Sequence, residues 1–197
     1  MNRTTNIALV GVGGQGILLA SEVTSRAALL SGRDVKKSEV HGMAQRGGSV
    51  VSQVRIGEKV FSPLIPDGET HFLVSFEMLE SLRYADTLAP EGVALINHQI
   101  ITPITVASGQ QPWVEDLETR IERAFPHRQV ITAFATAQEL GNTRVVNMVM
   151  TGALSRLLDI DEATWKQAVS DLVPARYRDV NLQAFESGRS ADPIALG

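Results

Sequence analysis

The sequence predicts an α/β protein with a mostly parallel sheet, helices on both faces and a helical C-terminal third. Two observations carry this prediction. Short apolar runs typical of buried strands alternate with amphipathic, helix-like segments up to about residue 133. From residue 135 onwards, the apolar periodicity is helical throughout. Strands that alternate with helices favour parallel pairing through right-handed crossovers, because each helix returns the chain to the same end of the sheet.

The first predicted unit is a strand, a glycine-rich turn and a helix. Apolar runs at 7–10 and 17–20 flank the sequence Gly11-Val12-Gly13-Gly14-Gln15-Gly16. This sequence fits the pattern G-x-G-x-x-G, whose turn directs free main-chain N–H groups and the positive end of a helix dipole to one spot. It predicts a Rossmann-like fold. A nucleotide or phosphate site and a turn whose glycines serve only packing both remain open. A bound cofactor would meet Gly11, Gly13, Gly14, Gln15 and Gly16.

A helix and two strands are expected next. Helical spacing covers 16–30, and Gly32 suits the C-terminal cap of that helix. A second strand is expected to start at Val35, and the alternation over 49–56 predicts a third. Residues 38–48 have no period, and we interpret them as a loop.

The middle of the chain continues the alternation. We predict, in order, a strand at 72–75, a helix from Met78 to Ala85, a turn at 90–92, a strand at 93–97, an edge strand at 100–106, a helix that begins at Pro112 with the buried stripe Trp113, Leu117, Ile121 and Ala124, and a strand at 129–133. Pro103 keeps the segment 100–106 off the centre of the sheet, because proline cannot donate to the ladder.

The last third is predicted to be helical at 135–140, 145–158, 161–173 and 177–185. The helix at 145–158 is the most apolar, so we place it at the centre of the core or at an interface. Asp161 suits the N-cap of the next helix. We expect a single Rossmann-like domain over 1–186 and a flexible tail over 187–197.

Composition excludes several classes of protein. The net charge is −4 without a basic block, so we expect no nucleic-acid partner. No apolar run approaches the roughly 20 residues that span a bilayer, and a signal peptide is not evident, so we expect a cytoplasmic protein that does not contact membrane. The chain has no cysteine and therefore no thiolate ligand for zinc or iron–sulfur clusters. Its 4 histidines are scattered, so we predict no metal site.

Polar residues and glycines concentrate between the second and third strands. We predict that this segment faces a partner or an active site through Glu39, His41, Gln45, Arg46, Gly47 and Gly48. Glu39 is either the acid that binds a ribose hydroxyl or a plain carboxylate. Arg46 either binds a carboxylate or phosphate with its fork, or forms an internal ion pair. His41 is expected to bond main chain rather than act in catalysis.

Three stretches together resemble one known family. They are the glycine turn 11–16, residues 37–50 and residues 147–153. They resemble the gamma domain of 2-oxoacid:ferredoxin oxidoreductases, and the similarity runs from about residue 6 to 185. The run His-Gly-Met-Ala-Gln-Arg-Gly-Gly at 41–48 is most similar to the beta subunits of the indolepyruvate branch.

This resemblance implies an accessory subunit that works with a larger alpha subunit. The alpha subunit would hold thiamine diphosphate, Mg²⁺ and 4Fe–4S clusters, which agrees with the absence of cysteine in this chain. The implied reaction is oxidative decarboxylation of an aryl 2-oxoacid to its acyl-CoA, with ferredoxin as the electron acceptor. The resemblance assigns no catalytic residue to this chain. CoA or a nucleotide at the glycine turn stays open, as do a free-standing nucleotide-dependent oxidoreductase and an anion-binding homo-oligomeric module.

Overall fold

The computed structural model describes residues 4–41 and 48–196 of the chain. Its strands are β1 (Thr5–Val12), β2 (Asp34–His41), β3 (Ser49–Gly57), β4 (Thr70–Ser75), β5 (Leu88–Asn97) and β6 (Arg128–Ile131). Its α-helices are α1 (Ile17–Leu30), α2 (Met78–Arg83), α3 (Ile104–Ala107), α4 (Leu117–Ala124), α5 (Ala133–Glu139), α6 (Val146–Ser155), α7 (Glu162–Leu172) and α8 (Arg178–Ser190). None of these helices is long and apolar enough to cross a bilayer.

All six strands form one sheet in the order β2-β3-β1-β4-β5-β6. The pairs β1–β4, β4–β5 and β5–β6 are parallel, which confirms the mostly parallel sheet. The pairs β2–β3 and β1–β3 are antiparallel, so β3 runs against the other strands. Because β3 ends beside the start of β1, the chain reaches the start of β4 through a loop rather than a crossover helix.

Helices cover both faces of the sheet, as predicted. On β1, Ile7 and Leu9 contact the core beneath α1, α6, α7 and α8, which we call the first face. Ala8 and Val10 contact the core beneath α2 and α4 on the second face. This division follows the period of two along a strand, because successive side chains point to opposite sides.

Helix α6 is the centre of the first-face core, since all of its residues are buried. Two glycines let α8 pack on it with the main chains in contact. A Cβ atom on Gly152 would lie 2.0 Å from the carbonyl oxygen of Phe185, and one on Gly188 would lie 1.9 Å from that of Val149. Residues 187–190, which we assigned to a flexible tail, therefore continue α8 and include one of its closest contacts.

Two helix ends form as the sequence predicts. Gly32 has a φ of +80°, and the N–H groups of Gly32 and Arg33 donate to the carbonyls of Leu29 and Ala28. This Schellman arrangement ends α1 and needs a residue that tolerates positive φ. At the start of α7, the Asp161 carboxylate accepts from the Thr164 N–H at 2.8 Å.

Two predicted segments have a different structure. The loop assigned to 38–48 was placed too early, because β2 continues to His41 and pairs with β3 along its whole length. Residues 90–92 are not a turn but part of β5, which has a register shift opposite Thr70 and Phe72. The proline and glycine that suggested a turn instead accommodate this irregularity in an extended strand.

The segment from 100 to 116 was also predicted wrongly. No edge strand forms at 100–106, because Pro103 begins the short helix α3 instead. Helix α4 starts at Leu117 rather than at Pro112, and Trp113 lies before it with 38% of its surface exposed. Leu117 and Ile121 are buried as predicted, whereas Ala124 is exposed. Helical spacing alone therefore placed the start of α4 one turn too early.

Replacing Gly188 with Ala tests the contact between α6 and α8. The added methyl group would overlap the Val149 carbonyl, so α8 must move away from α6. We expect the free energy of unfolding to fall by about 1–3 kcal/mol, as for other overpacked interiors. Urea denaturation measures this change. The control Gln183→Ala, on the exposed side of α8, is expected to change stability by less than about 0.5 kcal/mol. Equal stability of the two variants would contradict the close packing.

Candidate functional site

The glycine turn lies at the carboxyl edge of the parallel strands. Helix α1 leaves β1 towards the first face, whereas α2 leaves β4 towards the second face. The two connections diverge between β1 and β4, and this switch point is where open α/β sheets form ligand crevices. The predicted cofactor turn is therefore in the position that the fold favours for a site.

The glycines of the turn have different roles. A Cβ atom on Gly11 would lie 2.7 Å from Gln15 Oε1, and one on Gly16 would lie 2.6 Å from Asn147 Nδ2. These two glycines are needed for packing. Gly14 has a φ of +105° and open space beside it, so the turn conformation alone requires glycine there. The Gly13 N–H donates to the Gly48 carbonyl at 2.9 Å.

Three amide side chains, which we call the amide cluster, join the ends of β1, β4 and β5. They are Gln15, Asn97 and Gln99. Gln15 accepts from the Val12 N–H at 2.7 Å and donates to the Phe76 carbonyl at 2.8 Å. Asn97 donates to the same carbonyl at 3.0 Å. Gln99 Oε1 accepts from Gln15 at 3.2 Å and from Asn97 at 3.0 Å. The cluster therefore uses the Val12 N–H, which is then not available to an anion.

Two clefts lie on either side of this edge. The larger, of about 340 Å³, is on the side of α2, and we call it the acidic cleft; its lining includes Val12, Ser49, Glu77, Glu80, Ile101 and Ile104. The smaller, of about 160 Å³, is on the side of α5 and α6, and we call it the amide cleft; its lining includes Gly14, Gln15, Gln99, Phe134 and Arg144. The lining of the acidic cleft includes two carboxylates and Arg83, whereas the lining of the amide cleft includes Arg144.

Two buried glutamates give the acidic cleft its character. Glu77 is 1% exposed and accepts from the Glu80 N–H at 2.8 Å and the Ile101 N–H at 3.1 Å. Burial raises the pKa of Glu77, and the bonds from the main chain oppose this effect. Glu80 accepts from the Ser49 hydroxyl at 2.6 Å and forms an ion pair with Arg83 at 3.2 Å. The two carboxylates anchor the start of α2, residue 101 and the start of β3.

The structure separates Glu39 from the glycine turn. Glu39 pairs in register with Ser52, and Ser52 pairs with Leu9, three residues before the end of β1. The Glu39 carboxylate lies 2.7 Å from Lys37 Nζ in an ion pair. It is two strands away from β1, so the geometry favours the interpretation of a plain structural carboxylate over a ribose ligand.

Only part of the predicted partner-facing segment can be located. His41 ends β2, and Gly48 contacts the glycine turn through Gly13. Gln45, Arg46 and Gly47 lie outside the described residues. The segment therefore begins and ends at the carboxyl edge of the sheet, beside Gly11 and Val12.

Two buried polar residues of α6, Asn147 and Thr151, are joined by a hydrogen bond. The Thr151 hydroxyl donates to the Asn147 main-chain carbonyl at 2.7 Å, and the Asn147 side chain donates to the Gly16 carbonyl at 3.3 Å. Asn147 thus helps to hold the glycine turn. In the part of the chain that the structure describes, no three His, Cys, Asp or Glu residues could hold a metal ion.

Sequence reasoning missed Asn97 and Gln99 as residues of the site. A signal for them was present, because they follow a buried strand directly, and the carboxyl ends of parallel strands meet at one edge. The prediction for the glycine turn concerned its main chain, so the partners of the Gln15 side chain were not considered.

Comparison with known proteins gives consistent results. The family model for pyruvate ferredoxin/flavodoxin oxidoreductase matches residues 6–191. Indolepyruvate oxidoreductase subunit IorB of Thermococcus kodakarensis is 38% identical over 98% of both chains. The subunit of the same name from Pyrococcus horikoshii is 37% identical over 94% of this chain and 95% of its own. The gamma subunit of a keto/oxoacid ferredoxin oxidoreductase from Geobacter sulfurreducens has the same fold, with a TM-score of 0.71 and 23% identity over 94% of this chain and 96% of its own.

Replacing Gln15 with Glu tests the amide cluster. A carboxylate can still accept from the Val12 N–H, but it cannot donate to the Phe76 carbonyl or to Gln99. Because partly buried acceptors then lose a donor, we expect the free energy of unfolding to fall by about 1–3 kcal/mol. Urea denaturation gives the value. Gln138→Glu, on the exposed side of α5, is the control. A loss no larger than that of the control would mean that the cluster contributes nothing to stability.

The raised pKa of Glu77 predicts a pH dependence of stability. The folded chain keeps the proton of Glu77 to a higher pH than the unfolded chain, where the ordinary value is 4.5. The contribution of this group to stability is therefore complete below pH 4.5 and is lost as the pH rises through the folded pKa. Glu77→Gln cannot titrate, so we expect its stability to fall less over this range. Urea denaturation at several pH values measures both slopes.

The exposed carboxylate Glu139 provides the control for this experiment. Glu139→Gln, on the exposed side of α5, makes the same change from carboxylate to amide, and its pH dependence is compared with that of Glu77→Gln. If the free energy of unfolding changed equally with pH in Glu77→Gln and Glu139→Gln, the pH dependence could not be due to the burial of Glu77.

Proposed function

Because this chain belongs to the pyruvate ferredoxin/flavodoxin oxidoreductase family, we propose that it is the accessory subunit of a 2-oxoacid:ferredoxin oxidoreductase acting on indolepyruvate. One observation carries the proposal. The IorB subunits of two organisms are 37–38% identical to this chain over nearly its whole length and theirs. A match over the whole chain is a stronger indication than the glycine pattern, which also occurs in unrelated folds.

The proposal divides the reaction between two subunits of a cytoplasmic complex. A larger alpha subunit holds thiamine diphosphate, Mg²⁺ and the 4Fe–4S clusters, and the complex converts an aryl 2-oxoacid and CoA to CO₂ and the acyl-CoA. Ferredoxin accepts the electrons. The absence of cysteine from this chain supports the division, because cluster ligation needs thiolates.

We assign the carboxyl edge of the sheet to the contact with the alpha subunit. The glycine turn, Gly48 and both clefts lie along this edge, and the segment between His41 and Gly48 begins and ends there. The amide cluster fixes the ends of three strands, so the edge is a preorganised surface. We propose that His41, Gln45, Arg46, Gly47 and Gly48 shape the side of the complex that faces the active site, whereas Glu39 stays in its ion pair with Lys37 on β2.

The two clefts suit different groups. In the acidic cleft, a phosphate of CoA or of a nucleotide would meet the carboxylates of Glu77 and Glu80, and Arg83 in the same lining is already paired with Glu80. In the amide cleft it would meet Arg144 and the side-chain amide of Gln99, near the open space beside Gly14. We therefore propose the amide cleft as the place where this subunit contacts such a ligand.

The competing hypothesis is a free-standing nucleotide-dependent oxidoreductase. The distance of Glu39 from the turn and its ion pair with Lys37 weigh against an NAD site of the usual kind. Calorimetric titration of the isolated chain with NAD separates the two hypotheses. We expect no binding in the micromolar range, and tight binding would favour the competing hypothesis.

Co-expression with the proposed alpha subunit tests the proposed function. We expect the two chains to purify together and to reduce ferredoxin in the presence of indolepyruvate and CoA, whereas this chain alone is inactive. Pyruvate and 2-oxoglutarate serve as comparison substrates, and a higher kcat/KM for either would contradict the assignment of indolepyruvate. Failure of the two chains to co-purify would contradict the role of an accessory subunit.

Arg46→Ala in the purified complex tests the segment that we assign to the active-site side. If its guanidinium contacts substrate or CoA, kcat/KM is expected to fall at least about tenfold while the subunits still purify together. Arg123→Ala, on the exposed side of α4, is the control. An unchanged kcat/KM would mean that Arg46 does not contact substrate or CoA.

A further inference from the structure

The two edges of the sheet differ in how they are covered. At β6, the Ile194 N–H donates to the Val130 carbonyl at 2.8 Å, so a segment after α8 pairs with this edge. At the other edge, β2 pairs with β3 over all of Asp34–His41. Within residues 4–41 and 48–196, no strand pairs with the outer side of β2. β2 therefore presents an eight-residue open edge.

Open edges are commonly protected by charged side chains, above all lysine. In β2, the charges of both lysines are compensated within the same chain. The Lys37 ammonium forms ion pairs with Glu22 of α1 and with Glu39 of the same strand, and the Lys36 ammonium forms an ion pair with Asp34 at 3.0 Å. The repulsion between lysines that would keep a second strand away from this edge is therefore reduced.

We propose that two copies of this chain pair antiparallel through β2, about a two-fold axis at Ser38. A two-fold axis perpendicular to a sheet keeps each side chain on its own face, so residues can pair only when their numbers have the same parity. With the axis at Ser38, Lys37 of each copy faces Glu39 of the other. The pairing extends the ladder and joins two six-stranded sheets into one.

The neighbouring registers are unfavourable. An axis at Lys37 would set the two Lys37 residues opposite each other, and an axis at Glu39 would do the same with the two Glu39 residues. Like charges directly opposite in a ladder are destabilising. The charge pattern of β2 therefore selects the register centred on Ser38.

The selected register also covers an exposed apolar side chain. Val40 is 60% exposed, which is high for a valine in a strand. In the dimer it faces Lys36 of the other copy, whose aliphatic stem can lie against it while the ammonium stays in water. A two-fold dimer is the commonest symmetry among homo-oligomers.

Cysteine cross-linking tests the register, because the chain has no cysteine of its own. In Ser38→Cys, the two introduced thiols would meet at the axis, within reach of a disulfide. We expect complete conversion to a disulfide-linked dimer under mild oxidation, and light scattering at twice the monomer mass without oxidation. The full chain and the co-purified complex are both measured, so the result does not depend on the proposed function.

Matched cysteine variants on the same strand are the controls. In the proposed dimer of Lys36→Cys, the introduced thiols of the two chains lie about 13 Å apart, and the same holds for Val40→Cys. Neither should cross-link with itself, whereas an equimolar mixture of the two should cross-link. Self-linking of a Lys37→Cys or Glu39→Cys variant in preference to Ser38→Cys would overturn the register.

A charge change tests the ion pairs across the axis. Glu39→Lys sets the introduced lysine of each copy against Lys37 of the other, so we expect the dissociation constant of the dimer to rise at least about tenfold. Glu58→Lys makes the same change of charge at an exposed turn and is expected to leave the dimer intact.

A chain that is monomeric at about 100 μM, or a Ser38→Cys variant that forms the disulfide no faster than Val40→Cys alone, would overturn the proposal. Cross-linking of Ser38→Cys to the large subunit instead of to a second copy of this chain would also overturn it.

Discussion

The structure of the carboxyl edge of the sheet depends on the hydrogen bonds that one buried main-chain carbonyl accepts. The Phe76 carbonyl follows β4 and accepts from both Gln15, in the turn after β1, and Asn97, at the end of β5. Asn97 also accepts from the Phe134 N–H at 3.3 Å, which ties the start of α5 to the same point. Because a buried main-chain group without a partner costs about as much as a lost hydrogen bond, the turn, β5 and α5 must keep their relative positions. The geometry of the amide cleft, which Gln15, Gln99 and Phe134 line, follows from that constraint.

Much of the fold could be predicted because its causes are local. The Schellman end of α1 needs a residue with positive φ, and Gly32 is placed for it. Asp161 caps α7 through an N–H three residues away. The division of β1 into two buried faces follows from the apolar residues over 7–12, and the burial of α6 follows from the apolar character of most of its positions. In each case the helix end or the burial is determined by residues that are close together in the sequence.

What could not be predicted depends on distant contacts. The hydrophobic periodicity of a strand does not indicate whether it pairs parallel or antiparallel, so the direction of β3 could not be predicted. Gln15 and Gln99 are 84 residues apart, and nothing near either residue indicates the other. Glu39 follows the glycines at the spacing of a ribose ligand, yet β3 lies between its strand and β1. The position of a side chain in a site depends on strand order, which a local pattern does not encode.

The close packing of α6 and α8 also constrains how the chain can fold during synthesis. All of α6 is buried, and α8, which covers it, is translated only after α7. A nascent chain therefore exposes an apolar helix until its covering partner has left the ribosome. That interval favours association with chaperones or with another apolar surface of a newly made subunit.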